Sequence, residues 1–316
     1  MTATSNLRHS LSKYVKPSFF LSLIICLILS AVVYAETTDE KIIYIGVVNK
    51  KANNKQYDLN QYSKFISYID KELKKKSHYS AKLTLARDLD DLALLINNGK
   101  ISLLMESVMP TLRMQEITNK IEPALLGWRK GQRDYHTVFF TRKDSNINSI
   151  EDISGHSIAF EAPRSTSAFF VPVATLQKYN IDISNLPGAE RKSSDVHYVF
   201  AGTELNQAYW VHKKRVDSAA FNNGDWDRLP MPLKKDLKII HKTRPILRWI
   251  ISLSTEIPKE VRAHLIKILT EMDETEDGKI VLTTSNNTQK IDELSKEDHK
   301  NLEFWRQALS GINIRF

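Results

Sequence analysis

With 316 residues, 45 Lys and Arg and 37 Asp and Glu, the chain carries a formal +8 and is long enough for two domains with ample core. Its basic residues form no stripe interleaved with aromatics, which argues against a nucleic-acid partner. One cysteine, Cys26, leaves nothing to pair in an internal disulfide or to build a thiolate metal site.

Arg8, Lys13 and Lys16 precede a continuous apolar run over 19–33, which ends at Val33-Tyr34-Ala35 ahead of the polar Glu36-Thr37-Thr38-Asp39-Glu40. This layout predicts a secretory signal peptide over 1–35, cleaved after Ala35. The alternative is an uncleaved inner-membrane anchor, since 17–35 is free of charge over nearly the length of a span. Leu23-Ile24-Ile25 before Cys26 lack the small residue of a lipoprotein cleavage site. The exported chain then holds 42 basic and 37 acidic residues and no cysteine, which fits a periplasmic protein, and its mildly basic balance suits a small anionic ligand and ordinary solubility alike.

The first elements alternate. An apolar strand over 42–48 leads to an amphipathic helix over 58–76, with Tyr62, Phe65, Ile66, Ile69 and Leu73 on one face. A strand over 81–85, a helix over 88–97 and a strand over 101–105 follow. That order predicts a parallel sheet with right-handed crossovers. Ligands bind at the carboxyl ends of such strands, so Glu106 and Ser107 are expected to face a cleft. The unit then repeats, with strands over 138–141, 158–160, 198–200 and 219–221 and helices over 165–179 and 204–213. Residues 180–196 read as surface loop. Strands over 237–241 and 249–253, a helix over 258–272 and a last helix over 298–309 complete the chain. The fold class is α/β, with two lobes, each a mostly parallel sheet flanked by helices, hinged by two crossing strands.

The strongest site signal lies in 157–179. A buried strand, Ile158-Ala159-Phe160, breaks at Glu161-Ala162-Pro163-Arg164, and Ser165, Thr166 and Ser167 then precede a helical apolar pattern. Hydroxyls before such a pattern are helix caps. Together with the free amides and partial positive charge of a helix start, they also make a site for a tetrahedral oxyanion. Pro172 falls inside the predicted helix, where its missing N–H predicts a kink.

Other candidates carry a structural reading beside the functional one. Trp128, Tyr135 and His136 sit at the crossover between lobes, as packing or as cleft lining. Asn222 and Asn223 end a strand and either read polar ligand groups or form a turn. Arg248 either reaches the cleft or forms a surface ion pair. The nine histidines show no metal-ligand spacing and no serine has an evident base, so neither an enzyme nor a cofactor is indicated.

From about residue 42 to 282 the chain resembles the periplasmic phosphate/phosphite/phosphonate-binding proteins of ABC importers. The resemblance rests on Val138-Phe139-Phe140-Thr141-Arg142-Lys143-Asp144-Ser145, on Ile150-Glu151-Asp152-Ile153-Ser154-Gly155, and on the segment from Ala159-Phe160 through Pro172. Val199-Phe200-Ala201-Gly202, Val216-Asp217-Ser218-Ala219-Ala220 and residues 272–282 add to it. It implies a type II periplasmic binding fold, with one lobe over 40–136 plus 244–316 and the other over 137–243. It implies that Ser165, Thr166 and Ser167 hold the ligand's anionic oxygens, and that the partner of a monomeric protein is an ABC permease. A membrane sensor kinase or cyclase is the alternative partner. Relatives that bind aminoalkylphosphonates place tyrosines where this chain has positions near Leu89 and Glu106. Glu106 therefore either holds a ligand amine or pairs with Arg87, Arg113 or Arg164. The relatives' amine-holding acids have no clear match around 222–225 or at Arg248-Trp249.

Overall fold

The computed structural model describes residues 41–48, 55–185, 192–285, 287–310 and 312. The predicted leader, 1–35, lies outside them, as do residues 186–191 of the predicted loop.

In chain order the first half runs β1 (Lys41–Val48), α1 (Lys55–Lys74), β2 (Tyr79–Ala86), α2 (Leu89–Asn97), β3 (Leu103–Glu106), α3 (Val108–Thr118) and β4 (Ile121–Arg129). A short strand β5 (Asp134–Tyr135) leads into β6 (Thr137–Arg142), β7 (Ser157–Phe160), α4 (Val171–Lys178), β8 (Ile183–Ser184), β9 (Val196–Phe200) and α5 (Glu204–His212). Then come β10 (Ser218–Asn222), α6 (Asn223–Asp227), α7 (Met231–Lys234), β11 (Leu237–Lys242) and the short β12 (Ile246–Leu247). The chain closes with β13 (Ile250–Ser254), α8 (Lys259–Thr270), α9 (Glu276–Thr284), β14 (Thr288–Glu293) and α10 (Lys296–Ser310).

Two six-stranded sheets result, ordered β14-β4-β13-β3-β1-β2 and β11-β6-β10-β7-β9-β8. Each has a parallel part, β3 on β1 in the first and β10-β7-β9-β8 in the second. Each also has an antiparallel flank, where β13 runs between β3 and β4, and β6 between β10 and β11. The chain passes between the sheets at β5 and β12, which pair antiparallel with Ile246 opposite Tyr135 and Leu247 opposite Asp134. These are the two crossing strands.

The predicted apolar faces form the core. Tyr62, Phe65, Ile66, Ile69 and Leu73 of α1 are buried with Ile43, Ile45 and Val47 of β1. Phe139, Ile158, Phe160, Phe169 and Phe170 fill the second half, in a cluster continuous with Val108 and Leu112 of α3 and with Trp305 of α10. The predicted helix over 165–179 is not continuous. It begins as a π-type turn over Thr166–Phe170, with Phe170 N–H donating to the Ser165 carbonyl at 3.0 Å, and becomes α-helical only from Val171. The break falls at Ala168 (φ −114°, ψ 16°), not at Pro172. Pro172 sits in the first turn of α4, where no helical partner is lost by its missing N–H.

Candidate ligand-binding site

Residues of both halves line a cavity of about 470 Å³. Register explains the gathering. Glu106 ends β3 and lies opposite Ile250 of β13, so the start of β13, just after Arg248 and Trp249, sits at the same edge. Across the cleft, Phe160 ends β7 and Asn222 ends β10, and Asn222 lies opposite Thr137, two residues after Tyr135. The carboxyl ends of parallel strands and the amino ends of antiparallel ones thus meet at one opening.

The hydroxyl turn is held at both ends. Ser165 accepts the Ala168 N–H at 3.2 Å, and Thr137 Oγ1 donates to the Ser167 carbonyl at 2.8 Å. Thr166 Oγ1 accepts the Met109 N–H at 3.3 Å and donates to Ser107 Oγ at 2.9 Å. Ser107 precedes α3 and its own N–H donates to Glu106 Oε2 at 3.2 Å. Among the described residues, no protein acceptor takes the backbone N–H of Thr166 or Ser167. The turn therefore presents hydroxyls and unused amides, the donors an oxyanion needs.

Positive charge stands beside it. Arg248 is 7% exposed, with its guanidinium 4.4 Å from the centre of the Tyr135 ring, and burial lowers its pKa. Tyr135 is buried as well. Its pKa is raised by burial, against the pull of Arg248 and of a hydrogen bond with Ser167. Arg129 lies 4.4 Å from the centre of the Trp249 ring, and Lys130 and Arg164 also line the cavity.

The same cavity has an acidic wall. Glu161 follows β7, Glu204 opens α5 and Asp225 lies in α6. Gly202, at φ +80°, makes the left-handed turn that carries the chain from β9 into α5, and its N–H donates to the Glu161 carbonyl at 2.9 Å. Burial raises the Glu161 pKa, and a hydrogen bond from Ser165 offsets only part of that rise. Burial and the neighbouring Glu161 and Asp225 push Glu204 up to about 7. Burial would raise Asp225 too, but Lys130, Arg228 and Asn222 hold its pKa below the usual value. Lys130 Nζ is 3.9 Å from Asp225, which Asn222 and Arg228 also hydrogen-bond.

Of the residues singled out from sequence, Ser165, Thr166, Ser167, Glu106, Ser107, Tyr135, Asn222 and Arg248 line the cavity. His136 does not. It follows Tyr135 in extended backbone, where successive side chains point to opposite faces. Its own N–H donates to Asn223 Oδ1 at 3.1 Å, and burial and then Lys242 lower its pKa. Trp128 is also outside the lining and donates to Asp292 Oδ2 at 2.6 Å, a packing role. Two of the partners considered for Glu106 are engaged elsewhere, Arg87 with Asp91 and Arg113 with Glu116. Arg129, Lys130, Glu161, Glu204 and Asp225 were not singled out. The strand-end rule points to Glu161, but Arg129 ends a strand that the sequence pattern does not reveal, and Glu204 and Asp225 look like ordinary first-turn acids of helices. No cluster of metal-ligand type occurs among the described residues.

Residues 52–299 match the family described as ABC transporter, phosphonate, periplasmic substrate-binding protein. Among solved structures, the chain is similar to XAC2383 from Xanthomonas citri, bound to chloride or to ATP, with 23% identity and a TM-score of 0.76 over 85% of this chain and 97% of that one. It is similar to PhnD1 from Prochlorococcus marinus in complex with methylphosphonate, with 14% identity and a TM-score of 0.60 over 87% and 100% of the two chains. The binding protein component of an ABC phosphonate transporter from Pseudomonas aeruginosa is similar at 19% identity and a TM-score of 0.58, over 85% and 87%. These likenesses show the fold, the two-lobed type II periplasmic binding architecture. No curated protein matches the chain.

Proposed function

Because the chain belongs to the periplasmic substrate-binding proteins of phosphonate ABC transporters, we propose that its cavity captures a small phosphonate-like oxyanion for delivery to the ABC permease. The observation that carries this reading is the placement of Ser165, Thr166, Ser167, Tyr135 and Arg248 around one cavity. The hydroxyls and free amides donate to the anionic oxygens, and the buried guanidinium supplies the countercharge. The acidic wall of Glu161, Glu204 and Asp225 favours a ligand whose other end is cationic, such as a phosphonate bearing an amine. The role is capture rather than turnover, so the ligand is recovered unchanged when the complex is denatured.

Export follows cleavage after Ala35, and the protein acts as a soluble monomer. Its lobes, 40–136 plus 244–316 and 137–243, close on the ligand about the two crossing strands. Calorimetric titration with methylphosphonate, 2-aminoethylphosphonate, phosphate and a sulfonate tests the ligand reading. Saturable binding of a phosphonate, tighter when the amine is present, is the expected result. Failure of every oxyanion to bind would remove the reading.

A further inference from the structure

A second cavity, of about 550 Å³, flanks the other end of the crossing segment and shares no lining residue with the first. It lies where the end of β11 passes through Thr243 and Arg244 toward β12, between α4 and α10. Trp305 Nε1 and Asn301 Nδ2 both donate to the Pro245 carbonyl, at 3.0 and 2.9 Å, which fixes α10 against the crossing segment. The cavity is thus built from elements of both halves.

Its chemistry differs from that of the first cavity. Lys178, Lys242 and Arg244 line it, while no Asp or Glu does so among the described residues. None of the three cations forms an ion pair with a described carboxylate. Folded surfaces ordinarily intersperse charges of both signs. Three cations of one sign around one concavity repel each other and create a positive potential that an anion relieves. Four aromatic rings, Tyr179, His241, Phe304 and Trp305, share the lining with small and polar side chains. Arg244 stands 4.4 Å from the centre of the Phe304 ring, and Tyr179 meets His241 edge-on at 5.6 Å. Burial lowers the His241 pKa, with the nearby Glu151 opposing the fall and Lys178 adding to it.

From this juxtaposition we infer that the cavity between α4, the β11–β12 crossing and α10 is a second ligand site, for a planar aromatic acid. The ring lies against Phe304, Tyr179 and His241, and the carboxylate or sulfonate lies among Lys178, Lys242 and Arg244. The volume is within the range of small-ligand pockets. A ligand there touches both halves beside the hinge, so its occupancy favours one lobe angle over others. The site is independent of the phosphonate reading.

Fluorescence titration with 8-anilinonaphthalene-1-sulfonate tests it. The wild type is expected to bind the probe saturably. The double variant Lys242→Gln/Arg244→Gln is expected to bind it about tenfold more weakly or worse, through loss of two charge-assisted contacts. Both side chains are exposed, so this variant is expected to melt as the wild type does. Thr166→Ala, in the other cavity, touches no lining residue of this one and is expected to change probe binding far less than the double variant does. Equal affinity in the double variant and the wild type overturns the inference. So does absence of saturable binding, or binding that Thr166→Ala abolishes instead.

Discussion

Thr166 Oγ1 donates to Ser107 Oγ at 2.9 Å, and the two residues belong to opposite halves of the molecule. Thr166 opens the turn after β7 of the second sheet, while Ser107 follows β3 of the first. One threonine hydroxyl therefore serves the hydroxyl turn and a link across the cleft. Its single proton is given to Ser107 here, so it donates to a ligand only when that link opens, and replacing it removes both contacts. A hydrogen bond to a charged oxygen is worth about 1.5–3 kcal/mol. Thr166→Val, which keeps the shape, is expected to weaken methylphosphonate binding about ten- to a hundredfold by calorimetry. Ser165→Ala instead removes the acceptor for Ala168 N–H, at a cost of about 1 kcal/mol of stability. A Thr166→Val protein that binds as the wild type does would reduce the turn to a cap.

Glu204 gives the cavity a pH dependence with a definite sign. Its pKa rises from 4.5 to about 7 on folding, through burial and the adjacent Glu161 and Asp225. The folded state therefore holds a proton that the unfolded state has lost between these values. The contribution of this group is fully present below 4.5 and is lost as pH rises through 7. Glu204→Gln is expected to raise the melting temperature at pH 8 and to change it little at pH 4. Ionised Glu204 also opposes an anion in the same cavity. The ratio of methylphosphonate affinities, variant over wild type, is expected to grow as pH rises through 7, and the ligand's own titration cancels in that ratio. A flat ratio between pH 5 and 9 would place the Glu204 charge away from the bound oxyanion.

Much of this arrangement is legible in the sequence, and the parts that are not have physical reasons. The alternating strands and helices from 42 to 105 stand out because each buries one apolar face. The hydroxyl turn stands out because Ser165, Thr166 and Ser167 adjoin a buried strand. By contrast, β4 carries Pro123 and Gly127, which weaken any strand pattern, and its pairing with β13 shifts register between Ile251 and Ser252. The edge strand β14 is polar, with only Thr288 and Ile291 buried. The acidic wall is hidden for another reason. Glu161, Glu204 and Asp225 are remote in sequence, and only the pairing of β7 with both β9 and β10 gathers them. His136 and Tyr135 show the limit of proximity as a guide, since one residue of extended chain separates cavity from outer face.

The support of the crossing strands is open to a separate test. Arg133, just before β5, donates from both terminal nitrogens to Asp298 of α10, at 2.8 and 2.6 Å. Burial would raise the Asp298 pKa, but Arg133 and Ser295 overcome it and hold the value at about 2. A carboxylate depressed in this way stabilises the fold above its unfolded value of 3.8, and the contribution is lost as pH falls through 2. Removing one partner of a buried pair costs about 3–5 kcal/mol, and the partial exposure of Arg133 reduces the expectation for Asp298→Asn to about 2–3 kcal/mol at pH 7. Denaturant unfolding measures it. The variant is also expected to lose less stability than the wild type between pH 4 and 2. A parallel pair of stability curves would assign the acid sensitivity to other groups.

Arg248 separates charge from shape at the anion site. Its guanidinium is buried against the Tyr135 ring, and both residues line the cavity beside Ser167. A guanidinium stacks flat and presents a fork of donors, whereas a lysine ammonium supplies only a point charge. Arg248→Gln removes the charge, and Arg248→Lys keeps it while losing the stacking plane. Methylphosphonate affinity is expected to fall about ten- to a hundredfold in Arg248→Gln, in line with loss of a charge-assisted contact. Arg248→Lys is expected to fall between that variant and the wild type. Tyr135→Phe keeps the ring under the guanidinium and removes the hydroxyl that hydrogen-bonds Ser167. It is expected to cost less than Arg248→Gln. If Arg248→Gln binds methylphosphonate as tightly as the wild type does, the buried guanidinium serves packing alone, and the countercharge for the anion must come from Arg129, Lys130 or Arg164.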